Sequence, residues 1–223
     1  MASPLVLQPD ATAGKDTYLS AGAATNRNYG ASLTNQAGVQ TALIAFDLSS
    51  LSSVTVTAAS LSLYCLDSGT VDATLACYKM LVAWIEGTKI NATATAGEPC
   101  WNYREYNTVA WGAAGARGSG TDHAVDASDT VAVPAQTAGW YALEGPGMAA
   151  DVQDIIDGGD NNGWCLFTGE AAFSFFSSDY IDDTSLRPKF TVTYTEGGGG
   201  GGIAHRIIGS GIVNSRAIVR GAA

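Results

Sequence analysis

With 223 residues, 46% of them hydrophobic and 14% charged, the chain has enough apolar material to bury a core, which excludes disorder for most of its length. Gly, Thr, Ser and Val prevail over Lys and Glu, a balance that favours strands and turns over helices. The formal net charge of −10 disfavours nucleic acid and anionic membrane surfaces as partners, and no apolar run is long enough to span a bilayer.

The opening MASPLVLQPD has neither a basic n-region nor a long apolar h-region, so no secretory signal is read in it. A first strand is expected from Thr17 to Ala21. Ile44, Phe46 and Leu48 alternate with Ala45 and Asp47, the period-two pattern of a strand with one buried and one wet face. Leu61, Leu63 and Cys65 alternate in the same way with Ser60, Ser62 and Tyr64. The turn-forming run DSGTVD at 67–72 predicts a hairpin between the segments 59–66 and 73–82. Further strands are expected at 139–144, 163–168 and 172–177, and at the end of the body, where Phe190, Val192 and Tyr194 alternate with Thr191, Thr193 and Thr195. Only 148–157, with Val152, Ile155 and Ile156 at helical spacing, reads as a helix. Many short strands with Gly and Ser turns predict an all-β protein, a single jelly-roll-type β-sandwich over 1–196. Its expected core includes Phe46, Leu61, Leu63, Trp84, Phe190 and Val192, with Trp140 and Trp164 also inside. Cys65, Cys77, Cys100 and Cys165 match no zinc spacing; three disulfide pairings are open to them, and buried reduced thiols are the expectation.

Six glycines at 197–202 form a flexible linker with a reach of roughly 13 Å. Residues 203–223 beyond it carry Arg206, Arg216 and Arg220 and no acid, whereas the body holds eight Lys and Arg against all 21 Asp and Glu. The apolar pairs Ile207-Ile208, Ile212-Val213 and Ile218-Val219 cannot bury themselves in so short a peptide. The tail is therefore expected either to fray or to anchor the body to an acidic or edge-strand acceptor, on another assembly protein or a second copy of the chain.

Nine short pieces recur in a recognisable order: DTYLS (16–20), NYG (28–30), TALIAFDLSSL (41–51), AASLSLYC (58–65), WIEG (84–87) with Trp101-Asn102, Trp140-Tyr141, ADVQDII (150–156), NNGWCLF (161–167) and FFSSDYIDDTSLRPKFTVTY (175–194). In these the chain resembles the DNRLRE-type domain, also called the disaggregatase-related repeat, over about residues 5–196. The resemblance implies a β-sandwich grouped with carbohydrate-binding modules, some of which bind alginate. The chain departs from the pattern at Ala42 and Ala45, where an Arg is usual in that strand, and in an Ala- and Gly-rich insertion from Trp111 to Gly120.

Glycan binding needs aromatic faces for sugar rings and polar groups for hydroxyls. Trp101, Asn102, Tyr103, Arg104, Tyr106 and Trp111 lie in one loop-like stretch and are the expected site, Arg104 being suited to a uronate carboxylate; the competing reading makes Trp101 and Trp111 plugs at one end of the sandwich. Asp10, Asp16 and Asp160 are candidate calcium ligands, with Asn161 and Asn162 beside them, although DGGDNNG is also a sufficient tight turn. For catalysis only His123 lies in the body, without a nucleophile elbow, and Glu86, Glu105 and Asp179 are carboxylates of the kind any acidic protein offers, so no enzyme is expected. Two functions follow. The first is a structural or adhesive protein on the exterior of a virus particle, a capsid decoration or fibre component held by its tail. The alternative is a carbohydrate-binding module of a secreted or cell-surface protein.

Overall fold

Strands in which polar and apolar residues alternate must bury one face, and the chain does so by stacking two antiparallel sheets. The computed structural model describes residues 4–169 and 173–196. The elements are β1 (Leu5–Leu7), β2 (Lys15–Leu19), β3 (Arg27–Asn28), β4 (Thr34–Ala37), β5 (Thr41–Ala45), β6 (Val54–Asp67), β7 (Ala73–Lys79), β8 (Ala92–Thr93), β9 (Tyr103–Glu105), β10 (Val109–Ala110), β11 (Asp129–Val133), β12 (Gly139–Leu143), α1 (Pro146–Ile156), β13 (Trp164–Phe167), β14 (Phe173–Phe176) and β15 (Lys189–Glu196). One sheet runs β1-β15-β6-β14-β4, and β12 pairs with β6 as well; the other runs β11-β7-β13-β5-β2. The linker and the tail, with Arg206, Ile207, Ile208, Ile212, Val213, Arg216, Ile218, Val219 and Arg220, lie outside the described residues.

Between the sheets, Phe46 stacks on Phe190 and Trp164 leans on the same ring, both at 5.0 Å between centroids. Leu61, Leu63 and Cys65 from β6 and Phe190 and Val192 from β15 point into this core, as their alternation predicts. Helix α1 begins at Pro146, which fits the first turn of a helix, and adds Met148 and Val152 to the core. Gln153 Oε1 accepts from Val56 N at 2.8 Å, and Asp151 accepts from Trp164 Nε1 at 2.9 Å, tying the helix to both sheets.

Three expectations fail, each for a packing reason. The 67–72 turn does not make a hairpin: β6 pairs with β12, β14 and β15, while β7 pairs with β11 and β13, so the turn carries the chain from one sheet to the other. Strand β5 has no wet face, since every residue from Thr41 to Ala45 is buried. Trp140 is not core but 44% exposed.

The burial of β5 has a visible cause. Leu19, Leu43, Ala45 and Cys165, on the side of their sheet turned away from the inter-sheet core, pack with Met80, Trp84, Trp111 and Ala116 from the long connection between β7 and β11. That connection is a second layer, and Asp122 organises it by accepting from the N–H groups of Gly112, Ala113 and Gly118 at 2.7 to 2.9 Å. The Trp111–Gly120 insertion is thus built structure. His123 is buried in the same layer, its ring set against Tyr78 and Phe167, with Nδ1 2.7 Å from the Ala124 carbonyl. All four cysteines are buried thiols.

Candidate functional site

The loop expected to hold a glycan belongs largely to this second layer. Trp111 is buried and donates Nε1 to the Cys100 carbonyl at 2.8 Å. Trp101 lies against Gly115, where a Cβ would come within 2.4 Å of the ring, and the Arg117 guanidinium sits 5.5 Å from its centroid. Tyr103 and Tyr106 meet at 84°, Arg104 reaches Glu105 at 3.8 Å, and Asn102 is exposed. These residues are neighbours, but they do not present one flat aromatic surface.

A longer row of outward-facing rings lies on the other sheet. Residues at alternate positions of β6 point away from the core, and Tyr64 among them is flanked by outward rings of the strands on either side. Trp140 of β12 meets Tyr64 edge-on, with centroids 5.5 Å apart. Phe176 of β14 stacks parallel to Tyr64 at 6.0 Å, and Tyr180 stacks on Phe176 at 3.8 Å. Lys189 of β15 brings its ammonium to 5.1 Å from the Trp140 centroid. At the end of β6 the surface runs into a groove of about 390 Å³ lined by Leu66, Gly69, Thr70, Gln136, Thr137 and Ala138. Exposed indole, neighbouring rings, a cation and a polar groove are the elements of sugar recognition. Tyr64 reads as outward in the sequence. Trp140 could have been placed by its parity against Leu143, which is core.

A third grouping is acidic. Oxygens of Asp16, Glu86 and Asp179 all lie within 4.8 Å of one another. Asp16 comes from β2, Glu86 from the connection after β7, and Asp179 from the turn after β14. Asp16 is 2% exposed; it accepts from Asn35 Nδ2 at 2.5 Å and from Ser178 N at 2.8 Å. Glu86 Oε1 accepts from Asp16 N at 2.7 Å. Asn28 holds the Glu86 segment in place: its Nδ2 donates to the Glu86 carbonyl at 2.8 Å and its Oδ1 accepts from Gly30 N and Lys89 N. Gly30 must be glycine, because a Cβ there would stand 2.3 Å from the Glu86 carbonyl oxygen. The DTYLS, NYG, WIEG and FFSSDY pieces of the sequence therefore converge on one place. Burial pushes Glu86 up to about 8, with Asp16 and Asp179 adding repulsion, and burial and then Asp16 push Asp179 up to about 6.

Of the expected calcium ligands, only Asp16 is in this group. Asp10 is exposed and caps its own turn through Thr12 N and Ala13 N, and Asp160 is exposed in the turn before β13. The carboxylates beside Asp16 are instead Glu86 and Asp179, brought there by long-range topology.

Residues 8–94 match the model of carbohydrate-binding module family 96. This part of the chain is carbohydrate-binding-module-like. The match spans under half of the chain, from before β2 to the end of β8, and takes in Asp16, Asn28, Tyr64 and Glu86. Trp140, Phe176, Asp179 and Lys189 lie beyond it. No curated protein matches the chain. Among the described residues no helix is long and apolar enough to cross a membrane.

Proposed function

We propose that this chain is a non-catalytic polysaccharide-binding module that works outside the cell or at its surface and holds a glycan across the outer face of β12, β6 and β14. The observation that carries the reading is Trp140, a 44% exposed indole set among Tyr64, Phe176 and Tyr180. A pyranose ring stacks its apolar face on the indole, its hydroxyls reach the polar groove at Thr137 and Gln136, and Lys189 offers a cation to an anionic or hydroxyl-rich substituent. The family match over residues 8–94 supports polysaccharide as the partner and favours this reading over a virion decoration. The ordered motifs support the narrower DNRLRE-type likeness. Native electrophoresis through gels containing glucan, xylan, mannan or alginate tests the reading. The full chain is expected to be retarded by at least one of them, and Trp140→Ala to run at its polysaccharide-free mobility.

A further inference from the structure

The outer face of the sheet that carries the rings does not end with them. In β6, Ser60 and Ser62 share the outward parity of Tyr64, with buried Leu61 and Leu63 between them, and β15 sets Thr191 opposite Ser60 and Lys189 opposite Ser62. Thr193 continues the β15 row opposite Ala58, and Ala142 of β12 lies opposite Ser62 on the other side. All of these positions are half-buried or exposed. From Tyr64 to Ala58 the strand runs roughly 20 Å, with neighbouring rows about 4.8 Å apart, so a ladder of hydroxyls several sugar rings long leads away from the aromatic row.

We infer that this face selects an uncharged, linear polysaccharide over a polyuronate, and that Ser60, Ser62, Thr191 and Thr193 extend the binding surface beyond the rings. The inference rests on the glycan reading above and names its ligand class. Charge carries the argument. Lys189 is the only charged residue at these outward positions, and its ammonium already lies over Trp140. Cations elsewhere are engaged too: Lys79 with Asp154, Lys89 with Glu98, and Arg117 with the carbonyls of the turn after β4. A polyuronate brings one carboxylate per sugar unit to a body whose 21 Asp and Glu outnumber its eight Lys and Arg. Those carboxylates would give up water and meet like charge without a cation each to pair with, and both effects oppose binding. A neutral chain bears neither cost. Its hydroxyls exchange hydrogen bonds with Ser and Thr, which both donate and accept, and its ring faces stack on the indole. The face thus departs from the alginate that some modules of the resembling group bind.

The test is calorimetric titration of the full chain with two matched pairs, cellohexaose against the corresponding glucuronate hexamer and mannohexaose against the corresponding mannuronate hexamer. Within each pair a hydroxymethyl group is exchanged for a carboxylate and nothing else changes. The neutral member of at least one pair is expected to bind about tenfold or more tightly than its uronate. Its affinity should hold in about 0.5 M NaCl, because no ion pair is there to be screened. The double variant Thr191→Val, Thr193→Val keeps β-branched residues in the strand. It should unfold at the wild-type midpoint and bind the neutral hexamer severalfold more weakly, with the Trp140 indole still responding at saturation. A uronate bound as tightly as its neutral twin, or undiminished affinity in the double variant, would overturn the inference and leave Trp140 as a glycan site. Failure of both members of both pairs to bind would also overturn it and, with unretarded mobility in every polysaccharide gel, the glycan reading beneath it.

Discussion

Trp140 and Tyr64 meet edge to face at 82°, on adjacent strands of a sheet whose opposite face is packed core. The contact holds the indole in place while Trp140 stays 44% exposed, which is preorganisation of the kind that stacking on a sugar uses. Tyr64→Ala should therefore weaken polysaccharide affinity severalfold by releasing the indole. In a double-mutant cycle with Trp140→Ala, the two are expected to couple by about 0.5–1.5 kcal/mol, measured by binding titration.

Arg117 clamps the second layer onto the turn between β4 and β5. Its Nη2 donates to the Gly38, Val39 and Gln40 carbonyls at 2.9 to 3.2 Å, and Nε to Thr41 Oγ1 at 3.1 Å. The guanidinium also lies 4.7 Å from the Phe167 centroid. A lysine cannot reproduce that fork, so Arg117→Lys should cost about 1–3 kcal/mol in denaturant unfolding and leave polysaccharide binding unchanged.

Cys65, Cys77, Cys100 and Cys165 are all 0% exposed, and burial holds the Cys77, Cys100 and Cys165 thiols above their ordinary range. Native protein is expected to show no reaction with a thiol reagent over minutes at neutral pH, and four equivalents after unfolding.

Without divalent cations, the acidic group should set the pH dependence of stability. Folding raises Glu86 from 4.5 to about 8 and Asp179 from 3.8 to about 6, so the folded chain keeps these protons to higher pH than the unfolded one. The groups facing them are Asp16, Lys15 and Arg187, besides each other. Stability from these groups is complete below the unfolded values and is lost as pH rises toward about 8. Unfolding midpoints in EDTA should fall across that window, and Glu86→Gln should flatten the upper part of the fall.

The inward rows of β6 and β15 were legible because each of these strands buries one side only, and period two is then written directly in the residues. The full burial of strand β5 is not written in its sequence because a separate layer covers its second face, and that layer is a long loop-rich connection with no periodicity to announce it. The 67–72 turn looked like a hairpin because turn chemistry reports a reversal of the chain without saying which sheet receives the next strand. Asp16 was a visible ligand candidate. Its partners were not, since Glu86 and Asp179 lie 70 and 163 residues away along the chain and meet it only through the topology of the sandwich. Trp140 shows the bias in a residue type: tryptophan is usually core, and parity with Leu143 was the better guide.

The five tryptophans allow the central claim to be read directly. Indole N–H signals of 15N-labelled protein can be followed by NMR while cello-, xylo-, manno- or oligouronate ligands are added. Trp84, Trp111 and Trp164 are buried, with Nε1 bonded to Asn162 O, Cys100 O and Asp151 Oδ2, so their signals should stay still. The account predicts that the Trp140 indole moves in a saturable way with at least one of these ligands while Trp101 does not. Movement of Trp101 with Trp140 unchanged would return the site to the 101–111 loop, and stationary indoles with every ligand would contradict glycan binding by this face.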